Sequence, residues 1–205
     1  GIPGKIERHP WKNWGHNRTL AVLAAQETLK QKGFSPSETY LLILDPNMVV
    51  HPEESFDTRS LNKDAYLLLE KSSLLSCYNF NLRLLKASIP WKSYGVTHEY
   101  WAHNAGYQCE KLRSLMIEDQ GDSQERIKND IHVMKQQLIK EPDNERYIFY
   151  LAQSLKSLKQ YEEASSWYKK RIELKGDIEE IWFSKYMLGE CYKELGNWES
   201  ALFWY

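Results

Sequence analysis

With 205 residues, the chain has material for one large domain or two small ones. Hydrophobic residues make up 42% and charged residues 27%, a folded-protein balance that excludes a disordered chain. The 27 basic and 28 acidic side chains leave a net charge of -1, too little field to condense on nucleic-acid phosphates. Along the chain, Leu20, Leu23, Ala24 and Leu29 predict a helix over 17–32, stopped at Gly33. A short loop, Phe34-Ser-Pro-Ser, follows. Thr39 to Leu44 is then an apolar run of strand length, and being apolar on both faces it reads as a central strand covered by helices. Residues 64–70 and 74–86 read as two strands joined at Lys71-Ser-Ser73, with a further strand at Tyr94-Gly-Val-Thr97. Together these make an α/β layer domain over residues 1–118.

Residues 119–205 follow a different grammar, helical throughout. Ser123 to Lys140 places Ile127, Ile131, Met134 and Leu138 on one face, and Pro142-Asp143-Asn144 breaks the helix. An internal repeat follows. Leu151-Ala152 aligns with Leu188-Gly189, Tyr161 and Ala164 with Trp198 and Ala201, and Trp167-Tyr168 with Trp204-Tyr205. Each pair is 37 positions apart. Small residues at matched positions let antiparallel helices approach closely, and bulky ones fill the space between. This pattern resembles the tetratricopeptide repeat, a helix-turn-helix unit of about 34 residues, lengthened here around Lys175-Gly176-Asp177. The helix over 123–140 caps the array. Gly1 and Tyr205 both read as cuts through longer elements.

Cys77, Cys109 and Cys191 lie far apart with no CxxC spacing, which argues against a disulfide framework and for a reducing compartment. No apolar run approaches the roughly 20 residues that span a bilayer. A cytoplasmic location and no membrane segment are the corresponding expectations.

Four places carry candidate chemistry. Asp45-Pro46-Asn47 ends the apolar strand, where open α/β sheets bind ligands; its two oxygen ligands suit a hard cation, and its composition equally suits a turn. His98-Glu99, flanked by Tyr94, Tyr100 and Trp101, offers an imidazole and a general base. In a straight strand the two would face opposite ways, so a shared pocket requires a bend. Asn17 and Arg18 open a helix, where backbone amides and a guanidinium favour an anion such as phosphate, or where Asn17 merely completes a capping turn. Asn17-Arg18-Thr19 also matches a glycosylation acceptor, set aside for want of a signal segment. Glu118-Asp119-Gln-Gly-Asp122 reads as a solvated linker ending in a cap at Asp122 or Ser123, or as an acidic active-site loop.

Taken in this order, HPWKNWGHNRTLAV, YLLILDPNMVV, YNFNLRLLK, YGVTHEYW, ERIKNDI, NERYIFYLAQSLKSL and IEEIWFSKYMLGECY resemble a family 2-type glycosyltransferase fused to tetratricopeptide repeats. The resemblance implies an α/β plus all-α chain, with a partial GT-A, Rossmann-like sheet domain ahead of helical hairpins. It implies an inverting, metal-assisted transfer of sugar from a nucleotide-diphospho-sugar donor to a hydroxyl on a protein or glycan acceptor. Asp45, Asn47 and His98 would hold Mn²⁺ or Mg²⁺ against the diphosphate. Glu99, or an acid in 118–122, would deprotonate the acceptor, while Asn17, Arg18 and Arg83 would face donor or acceptor. The chain departs from the family at Asn47, a neutral residue where an aspartate is usual, and the family's opening strands would lie before Gly1. The alternative is a non-catalytic interaction protein, whose repeats bind a partner beside a degenerate transferase domain.

Overall fold

The structure, a computed structural model, describes residues 4–72, 78–121 and 124–205. The expected junction at Ser73, the first four residues of the expected 74–86 strand, Cys77, and the cap at Asp122 or Ser123 lie outside the described residues. The chain divides into two compact units, Gly1–Asp122 and Ser123–Tyr205.

The first unit opens with α1 (Trp14–Gln31), which starts three residues earlier than its apolar periodicity suggests. Asn13 is the reason: its side-chain oxygen accepts from the His16 amide at 2.8 Å and closes the first turn. The helix stops at Gly33, whose φ of +73° suits glycine. There follow β1 (Tyr40–Leu42), β2 (Met48–Pro52), β3 (Ala65–Ser72), β4 (Tyr78–Lys86), β5 (Lys92–Tyr94), β6 (Tyr100–Ala102) and β7 (Cys109–Asp119). Five strands form one sheet in the order β1-β4-β3-β7-β2, and β5 pairs with β6 in a separate ribbon. Among the described residues only β3 and β7 run parallel. Register shifts at Tyr66/Leu67 and Leu68/Leu69 curl the sheet, the usual effect of bulged strands.

Three sequence expectations change. The apolar run at 39–44 is not central: among the described residues β1 pairs with β4 alone and lies at a sheet edge, leaving Leu42 and Leu44 exposed. Its apolar character comes from flanking cores rather than from neighbours on both sides. The segment 94–97 is not a strand beyond Tyr94; it bends between β5 and β6. Glu118 and Asp119 are not linker but the last residues of β7, opposite Val49 and Met48 of β2. The mixed, mainly antiparallel order leaves a Rossmann-like identity for this sheet as an expectation from resemblance.

Alternation along the strands divides the core in two. Ala65 and Leu85 face one side with Val22 of α1, Trp91 and Trp101. Tyr66, Leu68 and Leu84 face the other, with Leu115 and Ile117 of β7. On this second face the Tyr40 hydroxyl donates to the Lys63 carbonyl at 2.6 Å. Burial, with Tyr66 and Asp64 nearby, pushes its pKa up to about 12 from an ordinary 10. The protonated phenol is thus favoured by the folded state. That contribution is complete below about pH 10 and is lost as pH rises towards 12. Tyr40→Phe should flatten that part of the alkaline decline in a denaturant–pH series, compared with the parent.

The second unit comprises α2 (Gln124–Lys140), α3 (Glu145–Ser157), α4 (Tyr161–Glu173), α5 (Ile178–Glu194) and α6 (Trp198–Trp204). Asn144, Asp177 and Asn197 accept backbone amides as N-caps of α3, α5 and α6. The 37-residue register is visible in packing: Ala152, Ala164, Leu188 and Ala201 are all at most 1% exposed. Gly189 occupies the position of Ala152, and a Cβ there would come within 3.1 Å of the Tyr205 ring. No helix among the described residues is long and apolar enough to cross a membrane.

Candidate functional site

In the first unit the helix start, the edge strand and the β5–β6 bend converge. The Trp14 and Gly15 amides donate to the Val96 and Gly95 carbonyls at 3.2 and 3.0 Å. Thr19 adds a hydroxyl that accepts the Ser93 amide at 2.9 Å. The bend that this latch holds includes Gly95 at φ +112° and His98 at φ +48°, so His98 and Glu99 do not simply alternate as in a strand. A Cβ on Gly15 would lie 2.6 Å from the Gly95 carbonyl oxygen. Gly15→Ala should therefore cost about 1–3 kcal/mol despite alanine's better helix propensity, read as a lower denaturation midpoint for the first unit.

On this scaffold sits a chain of alternating charges. Arg18 places Nη2 2.6 and 2.9 Å from the two Asp45 carboxylate oxygens, while its Nε pairs with Glu99. Arg83 approaches Asp45 with Nη1 at 3.6 Å and donates from Nε to Glu70 at 3.1 Å. The Arg18 guanidinium also lies 5.6 Å from the Trp14 ring centroid. The five charged side chains are at most 15% exposed, so their interactions are only weakly screened.

Of the residues singled out in sequence, Asp45, Arg18, Arg83 and Glu99 are brought together. Asn47 is directed elsewhere: its Nδ2 donates to Asp119 at 2.7 Å and to the Gly121 carbonyl at 3.2 Å. Asn17 accepts the Lys12 amide and donates to the Pro10 carbonyl, completing the turn before α1. His98 is half-buried beside Glu99 in the bend. Among the described residues, no group of three or more His, Cys, Asp or Glu side chains is placed to hold a metal ion. The chemistry agrees: Asp45 is engaged by two guanidinium groups, and Asn47 is a neutral amide turned onto Asp119. Sequence reasoning missed Glu70 and Trp14. Glu70 was detectable as the one acid closing the apolar run from Ala65 to Leu69.

In the second unit, Ile178, Trp182 and Tyr186 fall at four-residue spacing along α5 and form one stripe. Trp182 is 67% exposed, and its ring lies 6.2 Å from that of Tyr186 with planes 6° apart. Tyr205 adjoins Tyr186 at 5.7 Å, and its hydroxyl donates to Glu190. Lys193 also donates to Glu190, at 2.7 Å, and these two donors hold that carboxyl below its ordinary range. Helix order, hairpin packing and the 37-residue register agree with comparison against known families. The family model described as Anaphase-promoting complex, cyclosome, subunit 3 matches residues 123–205. This part of the chain is a tetratricopeptide-like repeat region. No curated protein matches the chain. Repeat regions of this kind present extended surfaces to protein partners, and the α5 aromatic stripe lies exposed on this one.

Proposed function

We propose that the chain is an interaction protein whose repeat region docks a protein partner. The observation that carries this reading is the exposed aromatic stripe of Trp182 and Tyr186 on a tetratricopeptide-like hairpin. Large exposed aromatics on a packed scaffold are expensive to leave in water and mark contact surfaces. The test is quantitative co-purification from the source cells with the parent and with Trp182→Ala/Tyr186→Ala. A protein recovered by the parent and depleted at least tenfold by the double substitution supports the reading. Equal recovery of every retained protein overturns it.

A second reading, sugar transfer, is favoured by the buried Arg18–Asp45–Arg83 chain with Glu99 at its end. Two guanidinium groups in a weakly screened site suit a nucleotide diphosphate and would stabilise its negative charge on departure. Glu99, released from Arg18, would take the proton of an acceptor hydroxyl on a protein or glycan. The Mn²⁺ or Mg²⁺ implied by the family resemblance fits these residues poorly, for the donor set is one carboxylate already paired with arginine. The reading therefore assigns the diphosphate to Arg18 and Arg83. Titration with uridine and guanosine diphospho-sugars, with and without Mn²⁺, tests it in the parent and in Asp45→Ala. No saturable binding of either donor in either condition rejects transfer, and binding that requires Mn²⁺ and Asp45 restores the metal.

A further inference from the structure

On the face of the sheet where α1 packs, burial falls off along the strands. Ala65 of β3 is fully buried in the cluster that contains Val22 of α1. Alternation puts Leu67, Leu69 and Lys71 on that same face, and there Leu67 and Leu69 are only half-buried. Leu69 stands opposite Phe80 and Lys71 opposite Tyr78 of β4, while Leu67 stands opposite Lys111 of β7. Lys111 and Arg113 reach back across the sheet to a single ring. The Lys111 Nζ lies 4.8 Å and the Arg113 Cζ 5.5 Å from the Phe80 ring centroid. Both side chains are exposed, so their stems cover half-buried apolar surface while their charged heads stay in water. Tyr78, 57% exposed, extends the apolar part of the patch.

Two like charges held at one ring repel each other. Among the described residues no carboxylate forms an ion pair with Lys71, Lys111 or Arg113. Glu118 stands opposite Lys71, but its carboxylate is engaged by His51 at 3.1 Å. The patch therefore joins aromatic and leucine side chains to cations that lack a counter-charge, the make-up of surfaces that rest between lipid headgroups and acyl chains. Topology narrows the partner. β4, β3 and β7 are the inner strands of the order β1-β4-β3-β7-β2, so their backbone groups bond one another and offer no edge to an added peptide strand. What the patch presents is a broad outward array of side chains. We infer that this face of β3, β4 and β7 docks onto an anionic lipid bilayer. Lys111 and Arg113 meet the headgroup phosphates and carboxylates, and Tyr78 and Phe80 enter the interface. The attraction is local, since 27 bases and 28 acids nearly cancel over the whole chain.

The test is sedimentation of the full chain with vesicles of phosphatidylcholine alone and of phosphatidylcholine with about one-third phosphatidylserine. The parent should partition onto the anionic vesicles only, and high salt should release it. Lys111→Ala/Arg113→Ala should lower that partitioning at least tenfold. Lys111→Arg/Arg113→Lys keeps both charges and should retain it. Lys30→Ala/Lys32→Ala removes the same charge from the end of α1 and should leave partitioning at the level of the parent. All four side chains are exposed, so far-UV circular dichroism of each variant should match the parent. Absence of partitioning by the parent, or equal loss from the two alanine pairs, overturns the inference. Displacement by free phosphoserine overturns it by assigning the patch to an isolated headgroup. Binding of a soluble poly-glutamate peptide as tight as that to the vesicles overturns it in favour of an acidic protein partner.

Discussion

Arg171→Met should lower the stability of the α4–α5 hairpin by about 3 kcal/mol, at the lower end of the range for breaking one partner of a buried ion pair. Arg171 is fully buried. Its Nε and Nη2 donate to Glu180 at 3.2 and 3.0 Å, and further contacts at 3.4 Å reach the carbonyls of Lys175 and Asp177. Glu145 of α3 stands 3.7 Å away. One guanidinium therefore ties α4, the lengthened connection around Gly176 and the start of α5. Methionine would fill much of the volume but leave two carbonyls and Glu180 without their donor. The lower end of the range is expected because Glu180 remains 25% exposed and can rehydrate. Hydrogen exchange of α4 and α5 amides reads the loss for this unit alone. Adding Glu180→Leu should recover a large part of it, since an apolar pair can replace a buried ionic one. No recovery would assign the effect to packing rather than to charge.

Arg18→Met should be comparably damaging to the first unit, by about 3–5 kcal/mol. It leaves Asp45 and Glu99, whose side chains are 8% and 14% exposed, without the cation between them. Of these two carboxylates Arg83 approaches Asp45, and more distantly. Arg18→Lys restores charge but not the fork that serves Asp45 and Glu99 together, so it should recover only part of the stability. Urea titrations of the parent, Arg18→Met and Arg18→Lys at neutral pH distinguish these outcomes. A neutral-pH loss below about 1 kcal/mol would class the chain of charges with ordinary surface pairs.

The helical half was legible because its signals are local. Matched small residues, caps at Asn144 and Asp177, and the 37-residue offset all appear within one or two turns of where they act. The sheet was less legible because its partners are distant in sequence. Nothing near Tyr40–Leu42 says that this strand lies at an edge, since its pairing with Leu84–Lys86 depends on a whole intervening topology. β7 was invisible for a different reason. Its first residues, from Cys109 to Arg113, are mostly exposed and polar, and its buried positions, Leu115 and Ile117, lie in the second half. At the charge cluster, Arg18, Asp45 and Glu99 stood out by residue type and position in the sequence, and Arg83 only through the family resemblance. Glu70 had no such guide. It enters the cluster only because β3 lies beside β4, which carries Arg83.

The latch between α1 and the β5–β6 bend gives the cluster an unexpected reporter. Trp14 and Gly15 donate their amides to Val96 and Gly95, within a few residues of Glu99, while Arg18 rides one turn further along the same helix. A visitor that pulls Arg18 away from Glu99 either leaves those two backbone bonds in place, by turning the Arg18 side chain or carrying the helix and the bend together, or parts them. In the first case the two amides keep their slow exchange with solvent; in the second they quicken. The rate at which two main-chain protons leave thus distinguishes a site that accepts its ligand as a rigid body from one that opens to receive it.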